Sequence, residues 1–139
     1  MKKTHLIFSS VIALTCAINA LHASTPPTSC PSASAIVSKG LLSAERDEEE
    51  GGFEVGQISS YGTQHTWGFV IMVPFYMASN ESEAIQKATQ ALPALNANFT
   101  TPIYQDGMYV CLYTANGLQA GAVTPLPLNN VAKKMQFNQ

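Results

Sequence analysis

The sequence predicts a small two-layer α+β domain. It expects an antiparallel sheet of about five strands, in two hairpin or meander units, packed with one or two helices and closed by one disulfide. Three observations predict it. Asp106-Gly107 and Asn116-Gly117, ten residues apart, are both strong signals for two-residue hairpin turns around a β-rich segment. The amphipathic stretch SNESEAIQKATQALPALN reads as a helix between that meander and an earlier pair of strands. Two cysteines, Cys30 and Cys111, remain once an N-terminal leader is set aside. Strands and helices segregated along the chain in this way describe an α+β architecture.

The leader is residues 1–23, MKKTHLIFSSVIALTCAINALHA. Lys2 and Lys3 supply a positive start, Leu6 to Ile18 a short apolar run, and Ala20 and Ala23 small residues for a peptidase, the pattern of a secretory signal peptide. The apolar run is shorter than the roughly 20 residues a membrane span needs. Cleavage is expected after Ala23, with Ala20 as the alternative. Lipidation at Cys16 is weighed and set aside, because Ala13-Leu14-Thr15 is a poor lead-in and would leave a very short apolar run. What remains is a proline-rich arm over 24–31, a single domain over 32–125 and a partly irregular C-terminal tail over 126–139.

Each element has its own signal. Residues 32–50, SASAIVSKGLLSAERDEEE, carry a partial helical stripe of Ala33, Ile36, Val37, Leu41 and Ala44 behind a Ser32 cap, weakened by Gly40. The acids Asp47, Glu48, Glu49 and Glu50 read as a solvated helix end or loop, since a calcium loop spaces its ligands at alternate positions. Residues 53–60 alternate loosely as a strand. Residues 66–77, TWGFVIMVPFYM, form a strand apolar on both faces, which asks for cover on both sides. Trp67, Phe69, Ile71, Val73 and Phe75 share one face, and Pro74 marks an edge, a bulge or the strand's end. The helix that follows starts at Asn80 with Glu83 as a capping-box partner and ends near Leu92, before Pro93. On the middle strand of the last meander, Met108, Val110 and Leu112 share one face and Tyr109, Cys111 and Tyr113 the other.

Charge limits the function classes. Removal of the leader leaves five basic residues against nine acids, a balance of −4. No basic cluster is visible, so neither nucleic acid nor a strongly bound membrane surface is expected as a partner. Zinc wants three or four His, Cys or carboxylate ligands, and His65 is the one histidine beyond the leader, so no metal is expected. No cofactor is expected either, because neither a Walker pattern nor G-x-G-x-x-G occurs. As for catalysis, His65 is the single candidate base, and no G-x-S-x-G elbow accompanies it. Enzyme chemistry is therefore the lesser expectation, with no catalytic residue assigned beyond that candidate.

His65 and Trp67, both unique after cleavage, stand two residues apart and share a strand face. Two readings follow. Trp67 is a core residue whose edge His65 caps, or Tyr61, His65 and Trp67 form an aromatic binding patch. For the cysteines, an even number in an exported chain predicts a Cys30–Cys111 bond.

The layout is also similar to a known group. The leader, Cys30-Pro31 soon after it, the Trp67-x-Phe69 strand and the late Cys111-x-Tyr113 hairpin resemble small exported proteins of unknown function from intracellular gammaproteobacterial pathogens, some of them type II secretion substrates. The resemblance implies export and carries over no catalytic residue. The reading is a periplasmic or secreted binding or interaction protein, a secreted effector among the options. Its partner is a protein or small ligand, and the chain itself a monomer or weak homodimer. Two alternatives stand beside it: a small secreted hydrolase using His65, and a structural envelope or assembly subunit, suggested by the doubly apolar strand.

Overall fold

The computed structural model describes residues 25–126, so the signal peptide expected over 1–23 and nearly all of the tail expected over 126–139 lie outside the described residues. Helix α1 (Ala33–Lys39) opens the domain behind Ser32, whose hydroxyl accepts from the Ala35 N–H at 3.2 Å. It closes at Gly40, where φ is +78° and the N–H returns to the Ile36 carbonyl. The helix expected over 32–50 thus stops halfway. Ser43–Asp47 is instead strand β1, laddered antiparallel on β2 (Gly52–Ser59) with Ala44 opposite Val55 and Arg46 opposite Phe53. Helix-favouring Ala, Glu and Arg are overridden by a backbone ladder and by the apolar face they can join. The acidic run is the turn between these strands, where Asp47 Oδ1 accepts from the Glu49 and Glu50 N–H groups at 2.9 and 3.0 Å.

β2 turns back into β3 (Trp67–Pro74), and Pro74 ends that strand. Helix α2 (Glu81–Ala91) follows, with the Asn80 side chain accepting from the Glu83 N–H and Glu83 from the Ser79 N–H, both at 2.9 Å. Pro93 converts the helix end to a 3₁₀ turn over Leu92–Ala94. Ala84, Ala88 and Ala91 are the helix's buried residues, small enough to bring its axis close to the sheet.

Strands β4 (Asn96–Ala97), β5 (Ile103–Gln105), β6 (Met108–Ala115) and β7 (Leu118–Thr124) complete a sheet in the order β1-β2-β3-β7-β6-β4, with β5 also on β6. All pairings are antiparallel. Seven strands replace the expected five or so, the additions being β1 and the two-residue β4. Both hairpin dipeptides take positive φ at each residue, 51° and 81° at Asp106-Gly107 and 49° and 80° at Asn116-Gly117, as type I′ turns require.

The helices cover one face. Beneath them lie Phe53, Val55, Trp67, Phe69, Ile71, Val73, Cys111 and Tyr113, with Phe69 and Tyr113 edge to face at 5.8 Å. The Cys30–Cys111 disulfide is formed, with Cα atoms 5.8 Å apart, and it anchors the arm at the sheet. Beside it the buried Tyr113 hydroxyl donates to the Pro31 carbonyl at 2.6 Å. The opposite face carries a smaller apolar cluster, Val70 and Val123 with Met72 and Val110, which no residue of α1 or α2 joins. The two-sided apolar pattern of residues 66–77 therefore serves two unequal clusters.

Candidate functional site

The turn from β2 to β3 carries Tyr61, His65 and Trp67, and the Thr63 hydroxyl ties the last two. Thr63 Oγ1 accepts from Trp67 Nε1 at 3.0 Å and from the His65 N–H at 3.1 Å, and it lies 2.8 Å from the Ser60 carbonyl, to which it donates. Tyr61, at φ +48°, folds inward and donates its hydroxyl to the Gln57 carbonyl at 2.8 Å. Trp67 is wholly buried and Tyr61 nearly so, while His65 stays half-buried at the rim, edge-on to Trp67 with ring centres 6.4 Å apart. Burial pushes the Tyr61 and Tyr113 phenols up. Sequence reasoning picked out the rings and missed Thr63, whose role comes from a local turn geometry that no periodicity announces.

A second place, not singled out from the sequence, lies on the far edge of the sheet. β4 and β5 both pair with β6, yet only Leu112 and Cys111 separate their partners Tyr113 and Val110, while residues 98–102 separate Ala97 from Ile103. The edge strand therefore bulges outward. The bulge is held at its start and at its middle. The Asn98 N–H donates to the Leu112 carbonyl, and the Thr100 carbonyl accepts from the Cys30 N–H, each at 2.9 Å. Around it opens a shallow hollow of about 420 Å³ lined by Ala97, Asn98, Phe99, Thr100, Thr101 and Ile103. Phe99 and Ile103 are each 44% exposed and Tyr104 65%, and Tyr104 leans on Tyr109 with ring centres 4.9 Å apart. The sequence did carry one signal for this bulge: Pro102, which cannot donate to a ladder and so belongs at an edge or a bulge.

The third feature is Glu54. It is 5% exposed on the face away from the helices, opposite Glu45 on β1 and Met72 on β3, and among the described residues its Oε2 has no hydrogen-bond partner. Burial pushes its carboxyl up to about 7, helped by the charges of Asp47, Glu45 and Glu50. Among the described residues no three His, Cys, Asp or Glu side chains converge to hold a metal ion, these acids included. A carboxyl raised in the folded state binds more protons there than in the unfolded chain. Its contribution to stability is thus fully present below about 4.5 and lost as pH rises through about 7. Glu54→Gln is expected to stabilise the fold at pH 8 by on the order of 2 kcal/mol and to change it little at pH 5. Urea unfolding of both proteins at the two pH values checks this; an equal gain at both would assign the effect to something other than charge.

Fold and site together define a disulfide-stapled α+β domain with an aromatic-rimmed hollow in a bulged edge strand. Comparison with protein-family models, curated proteins and solved structures finds no match for the chain. Among the described residues no helix is long and apolar enough to cross a membrane.

Proposed function

We propose that the protein is an exported binding module, periplasmic or secreted, that takes its protein or small-molecule partner at the bulged edge strand over residues 98–104. The observation that carries this reading is that exposed Phe99 and Ile103 line one hollow, with exposed Tyr104 next to it on the same edge strand. Exposed apolar side chains gathered in a patch mark interaction sites more often than scattered ones do. Tyrosine offers contact area and a hydroxyl at small entropic loss on binding. The Cys30–Cys111 bond supports an oxidising compartment, and through Cys30 it also steadies the bulge. A fixed bulge meets a partner without the ordering penalty of a free loop.

The test is a panel of peptides and oligosaccharides screened by fluorescence anisotropy against the chain and a Phe99→Ser/Tyr104→Ser variant. Both positions are exposed, so the variant's stability is expected within about 0.5 kcal/mol of the parent. Ligands that bind the parent are expected to lose at least tenfold in affinity, about 1.4 kcal/mol. Equal binding by both proteins would move the site elsewhere. Loss of binding on His65→Ala alone would favour the turn at Tyr61, His65 and Trp67.

A further inference from the structure

We propose that β1, at the edge of the sheet opposite the hollow, takes an extended basic segment of a partner protein as an added antiparallel strand, with lysine or arginine at alternate positions facing Glu45 and Asp47. The phase of the ladders carries the first half of this. The Phe75 N–H donates to the Gly51 carbonyl at 3.0 Å, so Gly52 and Pro74, which face one another, are not a hydrogen-bonded pair, and Pro74 has no N–H to give. Gly52 therefore turns its N–H and C=O toward β1 and bonds with Asp47, its partner in the register. Counting along in twos, Glu45 bonds with Glu54 and Ser43 with Gly56. Ala44 and Arg46 are left with N–H and C=O groups pointing away from the sheet, about 7 Å apart along the strand. β1 ends the strand order, and among the described residues no backbone group meets these outward donors and acceptors.

Charge selects the occupant. Glu45 and Asp47 share the face away from the helices, and the turn after them adds Glu48, Glu49 and Glu50. Across from Glu45 lies buried Glu54, whose Oε2 has no partner among the described residues. After its own burial, the charges of Asp47, Glu45 and Glu50 raise the Glu54 carboxyl, so these acids act on one place. The one cation of the strand and turn, Arg46, is turned to the other face, over the Phe75 ring at 4.1 Å, and pairs with Glu48. A second copy of the chain added on this edge would set one acidic row against another, and like charges on facing strands are destabilising. A basic strand reverses the sign of that contact. In an antiparallel addition the residue opposite Glu45 belongs to the closer, non-hydrogen-bonded pair, with Cα atoms about 4.5 Å apart. A lysine there meets Glu45, and its alternate neighbour meets Asp47. The residues between them bond to Ala44 and Arg46. Apolar side chains suit those positions, because Arg46 repels a second cation and Leu42, 72% exposed, begins the same edge. Main-chain bonds supply affinity in such a strand addition, and the alternate side chains supply specificity.

The test titrates the isotope-labelled chain with the peptide acetyl-Lys-Val-Lys-Val-Lys-Val-amide and reads amide hydrogen exchange by NMR. The amides of Ala44 and Arg46 are expected to exchange fast in the free chain and to slow about tenfold or more at saturation, while that of Glu45, already in the ladder, changes little. Two peptides of equal charge report which edge of the probe is used. N-methylation of its valines removes the donors that meet β1 and is expected to weaken binding about tenfold or more. N-methylation of its lysines is expected to leave binding within about twofold of the parent peptide. Ala44→Pro removes an outward donor and takes no bond from the β2 ladder, so the fold is expected to stand and affinity to fall about tenfold. The N-methyl pair keeps the test decisive if that variant does not fold. Four results would overturn the proposal: no binding, equal loss with both N-methylated peptides, shifts confined to residues 98–104, or Ala44 and Arg46 amides already slow in the free chain, which would mean that the edge is taken by the chain itself or by a second copy.

Discussion

Trp67→Ala is expected to destabilise the domain by about 3–5 kcal/mol, the range for removing a large aromatic side chain from a core. Trp67 has no exposed surface, and the core around it includes Phe69, Ile71 and the residues of α2. The lost volume cannot collapse easily, because the ring stands at the first residue of a central strand whose neighbours are fixed by ladders on both sides. The substitution also removes the Nε1–H donor from Thr63, which keeps its bonds to backbone groups. Trp67→Phe separates the two effects: most of the packing remains, and the missing hydrogen bond is worth about 1 kcal/mol. His65→Ala removes only a half-buried ring at the rim and is expected to change stability by no more than about 0.5–1 kcal/mol. Denaturant unfolding followed by far-UV circular dichroism checks the series, and the fluorescence of the single tryptophan reports on the native parent. Free quenching of the native signal by iodide, or an unchanged Tm in Trp67→Ala, would place the indole at the surface and make the turn a binding patch.

The parts of this fold that were legible in the sequence are those governed by local chemistry. Asp106-Gly107 and Asn116-Gly117 announce their turns because few residues accept positive φ twice in succession. Asn80 and Glu83 announce the start of α2 because their side chains satisfy backbone donors nearby. The disulfide was legible by arithmetic, since two cysteines follow the expected leader. What was not legible depends on partners distant in sequence. SAERD becomes β1 only because β2 offers it a ladder, and nothing within the five residues favours a strand. Two-residue β4 is too short to show a period, and the bulge after it is visible only against the register of β6. Glu54 alternates with Phe53 and Val55, so its position reads as solvent-facing; its burial depends on what lies over the second face of the sheet. The candidate site shares that character. Phe99, Ile103 and Tyr104 look like strand residues in the sequence, and only the bulged edge geometry leaves them in the open.

Replacing both Cys30 and Cys111 by Ser is expected to be the other large loss, about 4 kcal/mol. The bond spans a sequence separation of 81 residues, and in the chain-entropy model a loop of that length restricts the unfolded ensemble by this amount. Against a total of about 5–15 kcal/mol for a domain, that is about a quarter or more of the stability. The double variant is the right comparison, because a single Ser leaves a buried thiol free to pair elsewhere. The consequences are also local. Cys30 donates its N–H to Thr100, and its neighbour Pro31 accepts from the buried Tyr113 hydroxyl, so one staple steadies both the arm and the bulge that rims the hollow. Without it, hydrogen exchange is expected to quicken first over residues 28–36 and 98–104, well before the ladder between β2 and β3. Mass spectrometry of the oxidised chain is expected to find no free thiol at either position. Denaturant unfolding then measures the loss in the double variant. A change below about 1 kcal/mol, with exchange at the bulge unaltered, would mean that the arm is held by packing alone and that the edge site does not depend on the oxidised state.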